Sequence, residues 1–119
     1  MRDFRDLAVW QRSHQLTLAL YRATRTFPRD ELFGLTSQLR RASSSIPGNL
    51  AEGCGRDSAA DFRRHVVIAH GSASETDYYL QLAAELGFLS EPVHLSLHDE
   101  VTQVKRMLGA LARKLKADS

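Results

Sequence analysis

The sequence predicts an all-α fold: an antiparallel up-down-up-down four-helix bundle forming one domain over residues 1–119. Three observations carry this expectation. Apolar residues recur at steps of three and four along nearly the whole chain. No segment alternates with the period of two that a half-buried strand requires. Glycine, proline and aspartate break the pattern at a few short places, leaving four helical stretches of roughly 20–28 residues whose short connections make neighbours antiparallel.

The first helix is expected from an Asp6 N-cap through Leu7 to about Thr26, with Leu7, Trp10, Leu16, Leu20 and Tyr21 near one side. Phe27-Pro28 ends it, because proline disfavours the helical region for the residue before it. The second runs from about Asp30 to Gly53 on Leu32, Leu35, Leu39, Ala42, Ile46 and Leu50. Pro47 lies inside it and should kink it, with Ser43, Ser44 or Ser45 bonding the freed carbonyls. Gly53-Cys54-Gly55 supplies the stop. Ser58-Ala-Ala-Asp61 resembles a capping box and opens the third helix, whose stripe of Phe62, Val66, Ala69, Ala73, Leu80 and Ala83 ends at Gly87. Ser90-Glu91-Pro92 opens the fourth, which repeats Val93, Leu97, Val101, Val104, Leu108, Leu111 and Leu115.

The middle helices carry a second face. On helix two Gln38, Arg41, Ser45, Asn49 and Glu52 form a polar stripe, and on helix three Ile68, Ser72, Glu75, Tyr79, Leu82 and Leu86 form a mixed, partly apolar one, each about 110° from its core stripe on a helical wheel. Apolar residues on a flank that a lone bundle leaves in water point to self-association. A buried Arg41 or Glu52 would need a partner, because an isolated buried charge is very costly. The stripe is therefore read as a hydrogen-bonded network between helices or subunits.

Net charge is +2, but an antiparallel layout segregates it. One end collects Arg2, Arg5, Arg12, Arg40, Arg41, Arg56, Arg63, Arg64, Lys105, Arg106, Arg113, Lys114 and Lys116 against six acids, a local +7. The other end carries Arg22, Arg25 and Arg29 against Asp30, Glu31, Glu75, Asp77, Glu85, Glu91, Asp99 and Glu100, a local −5. Part of this follows the helix dipole, which favours cations at the end of helix four. Arg56, Arg63 and Arg64 lie near the start of helix three, where the dipole disfavours them; an anionic partner such as RNA or DNA is one reason for that placement, and pairing of Arg56 with Asp57 and of Asp61 with Arg64 is the alternative. Arg56, Arg63, Arg64, Lys105, Arg106, Arg113, Lys114 and Lys116 are the expected phosphate contacts.

Catalytic and metal chemistry find no constellation. Glu91-Pro-Val-His94 is one Glu-x-x-His match where a di-metal carboxylate bundle needs two, and it contains a proline. His94 and His98 stand four apart with only Asp99 as a third ligand candidate; His14, His65 and His70 are single. Lone Cys54 sits near a helix C-terminus, where the dipole raises a thiol pKa. Gly53-Cys54-Gly55-Arg56 follows no strand and is no phosphate loop. The longest uncharged runs, Ala42–Ala51 and His65–Ser74, are half of the roughly 20 residues a membrane span needs. No apolar run follows Arg2 and Arg5 as in a secretory leader. A non-enzymatic cytoplasmic protein without cofactor, metal or membrane contact is expected.

Leu7-Ala-Val-Trp10, Phe27-Pro28 with Glu31 and Phe33-Gly34-Leu35, Gln38-Leu-Arg-Arg41, Ser45-Ile-Pro47, Asn49-Leu-Ala-Glu-Gly53, Gly55-Arg56, and Ala69-His-Gly-Ser72 with Glu75 occur in one order over nearly the whole chain. In this the sequence resembles the bacterial four helix bundle protein family, also called the 23S rRNA-associated or intervening-sequence protein family. The resemblance implies a left-handed bundle assembled as a homopentamer. Some relatives are encoded inside intervening sequences of large-subunit rRNA genes. A related subfamily, the accessory protein of diversity-generating retroelements, binds a reverse transcriptase and nucleic acid. Gly48, His70 and Asp77 depart from the family's commoner residues. The resulting expectation is an oligomer with a nucleic-acid-binding basic rim; the alternative is a scaffold that binds another protein.

Overall fold

The computed structural model describes residues 2–118, and Met1 and Ser119, at the ends of the expected domain, lie outside the described residues. Four long helices carry the chain: α1 (Ala8–Ala23), α2 (Leu35–Cys54), α3 (Ala59–Glu85) and α4 (Glu91–Asp118). Short 3-10 turns at Phe4–Asp6, Thr24–Thr26 and Arg29–Glu31 complete the regular structure, and the described residues contain no strand. Helices of 27 and 28 residues extend about 40 Å at about 1.5 Å per residue. The molecule measures 44 × 23 × 20 Å, so α3 and α4 run its full length and the cross-section is two helices by two. α1 packs on α2, α2 on α3, α3 on α4, and α4 returns to α1.

The expected apolar stripes form one shared core. Leu20, Leu39, Ile46, Leu50, Val66, Leu80, Val101, Val104 and Leu108 are fully enclosed. Each helix contributes to the same cluster, which is why their 3.6-residue periodicity is legible in the sequence.

Several boundaries differ from the sequence reading, each for a local reason. Asp6 does not cap α1: Leu7 precedes that helix in extended conformation with no side-chain bond, while Asp3 caps the preceding 3-10 turn by accepting the Arg5 N–H. α1 ends at Ala23 rather than Thr26. The chain tightens there into the 3-10 turn Thr24–Thr26, and Phe27 is held extended (φ −65°, ψ 152°) before Pro28. α2 starts at Leu35, not near Asp30. Gly34 takes a non-helical conformation (φ −108°, ψ −115°), and the Glu31 carboxylate folds back to accept the Leu35 N–H at 3.1 Å. A Cβ at residue 34 would lie 2.8 Å from that carboxylate oxygen, so the glycine makes room for the cap.

The third helix begins as expected, the Ser58 hydroxyl accepting the Asp61 N–H at 3.0 Å. It stops in a Schellman turn: Gly87 adopts φ +80°, its N–H reaches Ala84 O, and Phe88 N–H reaches Ala83 O. Ser90 starts α4 by accepting the His94 N–H.

Pro47 sits within α2 and lacks the N–H that would bond the Ser43 carbonyl. The expected serine rescue does not occur at that carbonyl. Ser43 and Ser44 bond Arg40 O and Arg41 O instead, and Thr17 of α1 donates its hydroxyl to Ser43 O at 3.0 Å. Thr17 and Ser43 are buried, so this contact ties α1 to α2 where the proline interrupts the backbone ladder.

Candidate functional site

The polar stripe of α2 meets α3 as a ladder of three cross-helix bonds. At one rung Ser45 Oγ and Ser72 Oγ are 2.9 Å apart. At the next the Asn49 amide nitrogen donates to the Ser45 carbonyl (2.9 Å) and hydroxyl (3.0 Å), so its Oδ1 faces His65 Nδ1 at 3.3 Å. A carbonyl only accepts, which fixes the amide orientation and puts a proton on His65 Nδ1. The Tyr79 hydroxyl donates to Gln38 Oε1 at 3.4 Å on the outermost rung.

Gly53 lets the helices approach at the foot of the ladder. A Cβ there would lie 2.8 Å from the Phe62 ring and 2.9 Å from His65 Cβ.

His65 was absent from the site residues read from the sequence. It is 3% exposed, and its Nε2 has no hydrogen-bond partner among the described residues and lies 4.0 Å from the Glu52 carboxylate. The signal was available, since Asn49 and His65 lie eight residues either side of Asp57 in the connecting turn.

The other stripe members divide. Glu52 pairs with Arg56 at 2.7 Å on the surface. Arg41 and Glu75 are exposed and join no rung. Tyr79 and Leu82 are half-buried against the chain's own core, so the apolar residues that α3 leaves in water are Val67, Ile68, Tyr78 and Leu86.

The expected basic rim is partly paired, Asp61 with Arg64 as the alternative reading has it. Arg56 is held by Glu52 and by Asp61 at 3.7 Å, and Arg64 by Asp61 at 3.2 Å. Arg63 donates through Nε to the Ala112 carbonyl at 3.0 Å, pinning the start of α3 to the end of α4. Arg106, Arg113, Lys114 and Lys116 are exposed along α4.

The division into two charged poles also needs correction. Lys105 and Asp77, assigned to opposite ends, bond each other at 3.2 Å, and Arg12 and Glu100 likewise at 3.2 Å. Arg40 lies at the supposedly acidic end, donating to Thr24 Oγ1 at 2.9 Å and Tyr21 O at 3.4 Å with its guanidinium over the Tyr21 ring.

His98 finds its carboxylate on α3 rather than in Asp99. Its Nδ1 is 2.8 Å from Asp77, whose other oxygen accepts from Lys105. Burial pushes the Asp77 pKa up, but the bonds from His98 and Lys105 outweigh it and hold the carboxyl below its ordinary value. Burial pushes the Cys54 thiol up, away from the reactive thiolate. Among the described residues no three His, Cys, Asp or Glu side chains gather around one point, and no helix is long and apolar enough to cross a membrane.

Fold and site together define an all-helical protein of four helices whose polar signature lies in a ladder between the two middle ones. The chain belongs to the 23S rRNA-intervening sequence protein family, whose profile matches residues 5–110. It is similar in structure to a crystallised protein of unknown function from the S23 ribosomal protein family of Bacteroides thetaiotaomicron VPI-5482. The TM-score is 0.80 at 23% identity, over 88% of this chain and 98% of that one. No curated protein matches the sequence.

Proposed function

We propose that the chain is a non-enzymatic cytoplasmic protein, an antiparallel up-down-up-down bundle assembled as a homopentamer, which binds RNA or DNA through the basic end of its fourth helix. The antiparallel order is supported by the pairings Gln38–Tyr79, Ser45–Ser72 and Asn49–His65, in which residue numbers rise on one helix as they fall on the other.

Assembly is supported by Ile68 and Leu86 in water on the α3 flank, beside Gly71, which has no neighbour where a Cβ would stand. The observation that carries nucleic-acid binding is that Arg106, Arg113 and Lys114 stay exposed on α4 with no carboxylate within ion-pair distance among the described residues. Repeated around a ring, these cations make a rim suited to phosphates and indifferent to sequence.

Light scattering after size exclusion should return about five times 13.3 kDa. A clean monomer would refute the assembly. Ile68→Asp, which is exposed in one chain and buried in the proposed contact, should dissociate it without loss of helix. In filter binding at about 50 mM salt, nucleic acid should be retained, and Arg113→Gln with Lys114→Gln should weaken all sequences alike and flatten the salt slope.

The internal pairing of Arg56, Arg63 and Arg64 favours the second reading, a scaffold that binds a protein partner such as a reverse transcriptase. Absence of any nucleic-acid retention would select it.

A further inference from the structure

The connection between α1 and α2 carries a feature that neither the rim nor the ladder uses. A surface cavity of about 350 Å³ opens there, within the range of small-ligand clefts. Its floor is apolar, from Phe27, Pro28 and Leu32, and Arg25, Arg29 and Arg40 stand around it. Arg40 is fixed by Thr24 and by the Tyr21 carbonyl, so one cation is pre-placed.

Arg25 and Arg29 have no carboxylate within ion-pair distance among the described residues. Of the two acids in this connection, Glu31 is committed to capping α2 and Asp30 is exposed. The remaining acids of this end, Glu85, Glu91 and Asp99 among them, belong to α3 and α4. The α3–α4 connection packs against this corner, Phe88 ring to Phe27 ring at 5.5 Å, yet among the described residues none of its acids forms an ion pair with Arg25 or Arg29.

Directly after Leu32 in the chain stands Phe33, 93% exposed, the most exposed large apolar side chain described. The turn that holds it out is not slack, being closed by the Glu31 cap and the Gly34 N–H to Glu31 O bond at 3.0 Å. Phe33 puts an aromatic face in water one residue along the chain from the cleft's Leu32, in the same connection as Arg25 and Arg29, and a nucleotide matches that combination, with phosphate on the cations and base on the ring. A duplex buries its base faces in its own stack and offers a ring nothing to stack on.

We propose that the α1–α2 corner binds single-stranded nucleic acid, Phe33 stacking a base while Arg25, Arg29 and Arg40 meet phosphates. This rests on the nucleic-acid reading above and adds the strand class and a second contact site.

The test is fluorescence anisotropy with a short labelled oligothymidylate and a duplex of the same length. Phe33→Ala should weaken single-strand binding roughly 5- to 150-fold, the range of one lost base stack. Duplex binding and the salt slope should not change, because no charge is lost. Arg25→Gln with Arg29→Gln should instead reduce the single-strand salt slope by about 1.4, two phosphate contacts' worth. Circular dichroism and light scattering should be unchanged in both variants.

Wild-type affinity in Phe33→Ala overturns the proposal, as does a changed mass, which would make Phe33 a contact between copies. If both corner variants bind normally while the Arg113/Lys114 variant loses affinity, this site fails and the rim reading stands. If the wild-type protein binds neither probe, the nucleic-acid reading itself fails and this site with it.

Discussion

The bond from Thr17 to the Ser43 carbonyl is the sharpest energetic claim the structure makes. Pro47 leaves that carbonyl without its helical donor, and the carbonyl is buried, so water does not supply one. The variant Thr17→Val keeps the shape of the side chain and removes the hydroxyl. It leaves a buried acceptor unsatisfied, which costs about 1–3 kcal/mol. The single hydroxyl proton is shared between Ser43 O and Ser13 O, each at 3.0 Å; the Ser13 carbonyl keeps its own helical N–H partner in α1, so the loss is felt at Ser43.

The decisive arm is Pro47→Ala, which returns an N–H four residues after Ser43. In that background the hydroxyl is redundant at Ser43 O, and Thr17→Val should cost under about 0.5 kcal/mol. Denaturant unfolding of the four proteins at one fixed concentration, which keeps any contribution of association constant, gives the double-mutant cycle. A coupling of about 1 kcal/mol or more is expected. Additive effects within about 0.3–0.5 kcal/mol would refute the idea that Thr17 stands in for the proline's missing donor.

Two further outcomes follow from the same packing. Gly53→Ala gains helix propensity but drives a methyl into the Phe62 ring and His65 Cβ, neither of which is the loose end of a flexible chain. Overpacking should destabilise the protein by about 1–3 kcal/mol in thermal or denaturant unfolding, and a neutral or stabilised variant would show that α2 and α3 do not approach this closely. Asp77, with its pKa held below the ordinary 3.8, stabilises the fold fully above that value and loses the contribution as pH falls through its lowered one. The stability gap between wild type and Asp77→Asn, measured from about pH 5 down to about pH 1, should therefore narrow in acid, and a constant gap would contradict the lowered pKa.

The helices themselves were legible because helix formation and burial share one local period. Leu39, Ile46 and Leu50 announce the face of α2 whatever it packs against, and Ser58 and Gly87 announce the ends of α3 through bonds spanning only three to five residues. The flank of polar residues on α2 and α3 was legible for the same reason. What those residues touch was not.

That Thr17 serves a proline thirty positions later, that His65 rather than Glu75 completes the ladder, that Asp77 gathers His98 and Lys105, and that Arg40 crosses to the Tyr21 end all depend on the register between helices. Register is set by the sum of many side-chain fits across a shared core, and no short window of sequence contains that sum. The charge poles failed for this reason, since counting by chain position cannot see Arg12 reach Glu100. The sequence by itself determined which residues turn inward; the tertiary structure decided which of the others meet, and so which cations and which aromatic ring stay exposed and unpaired.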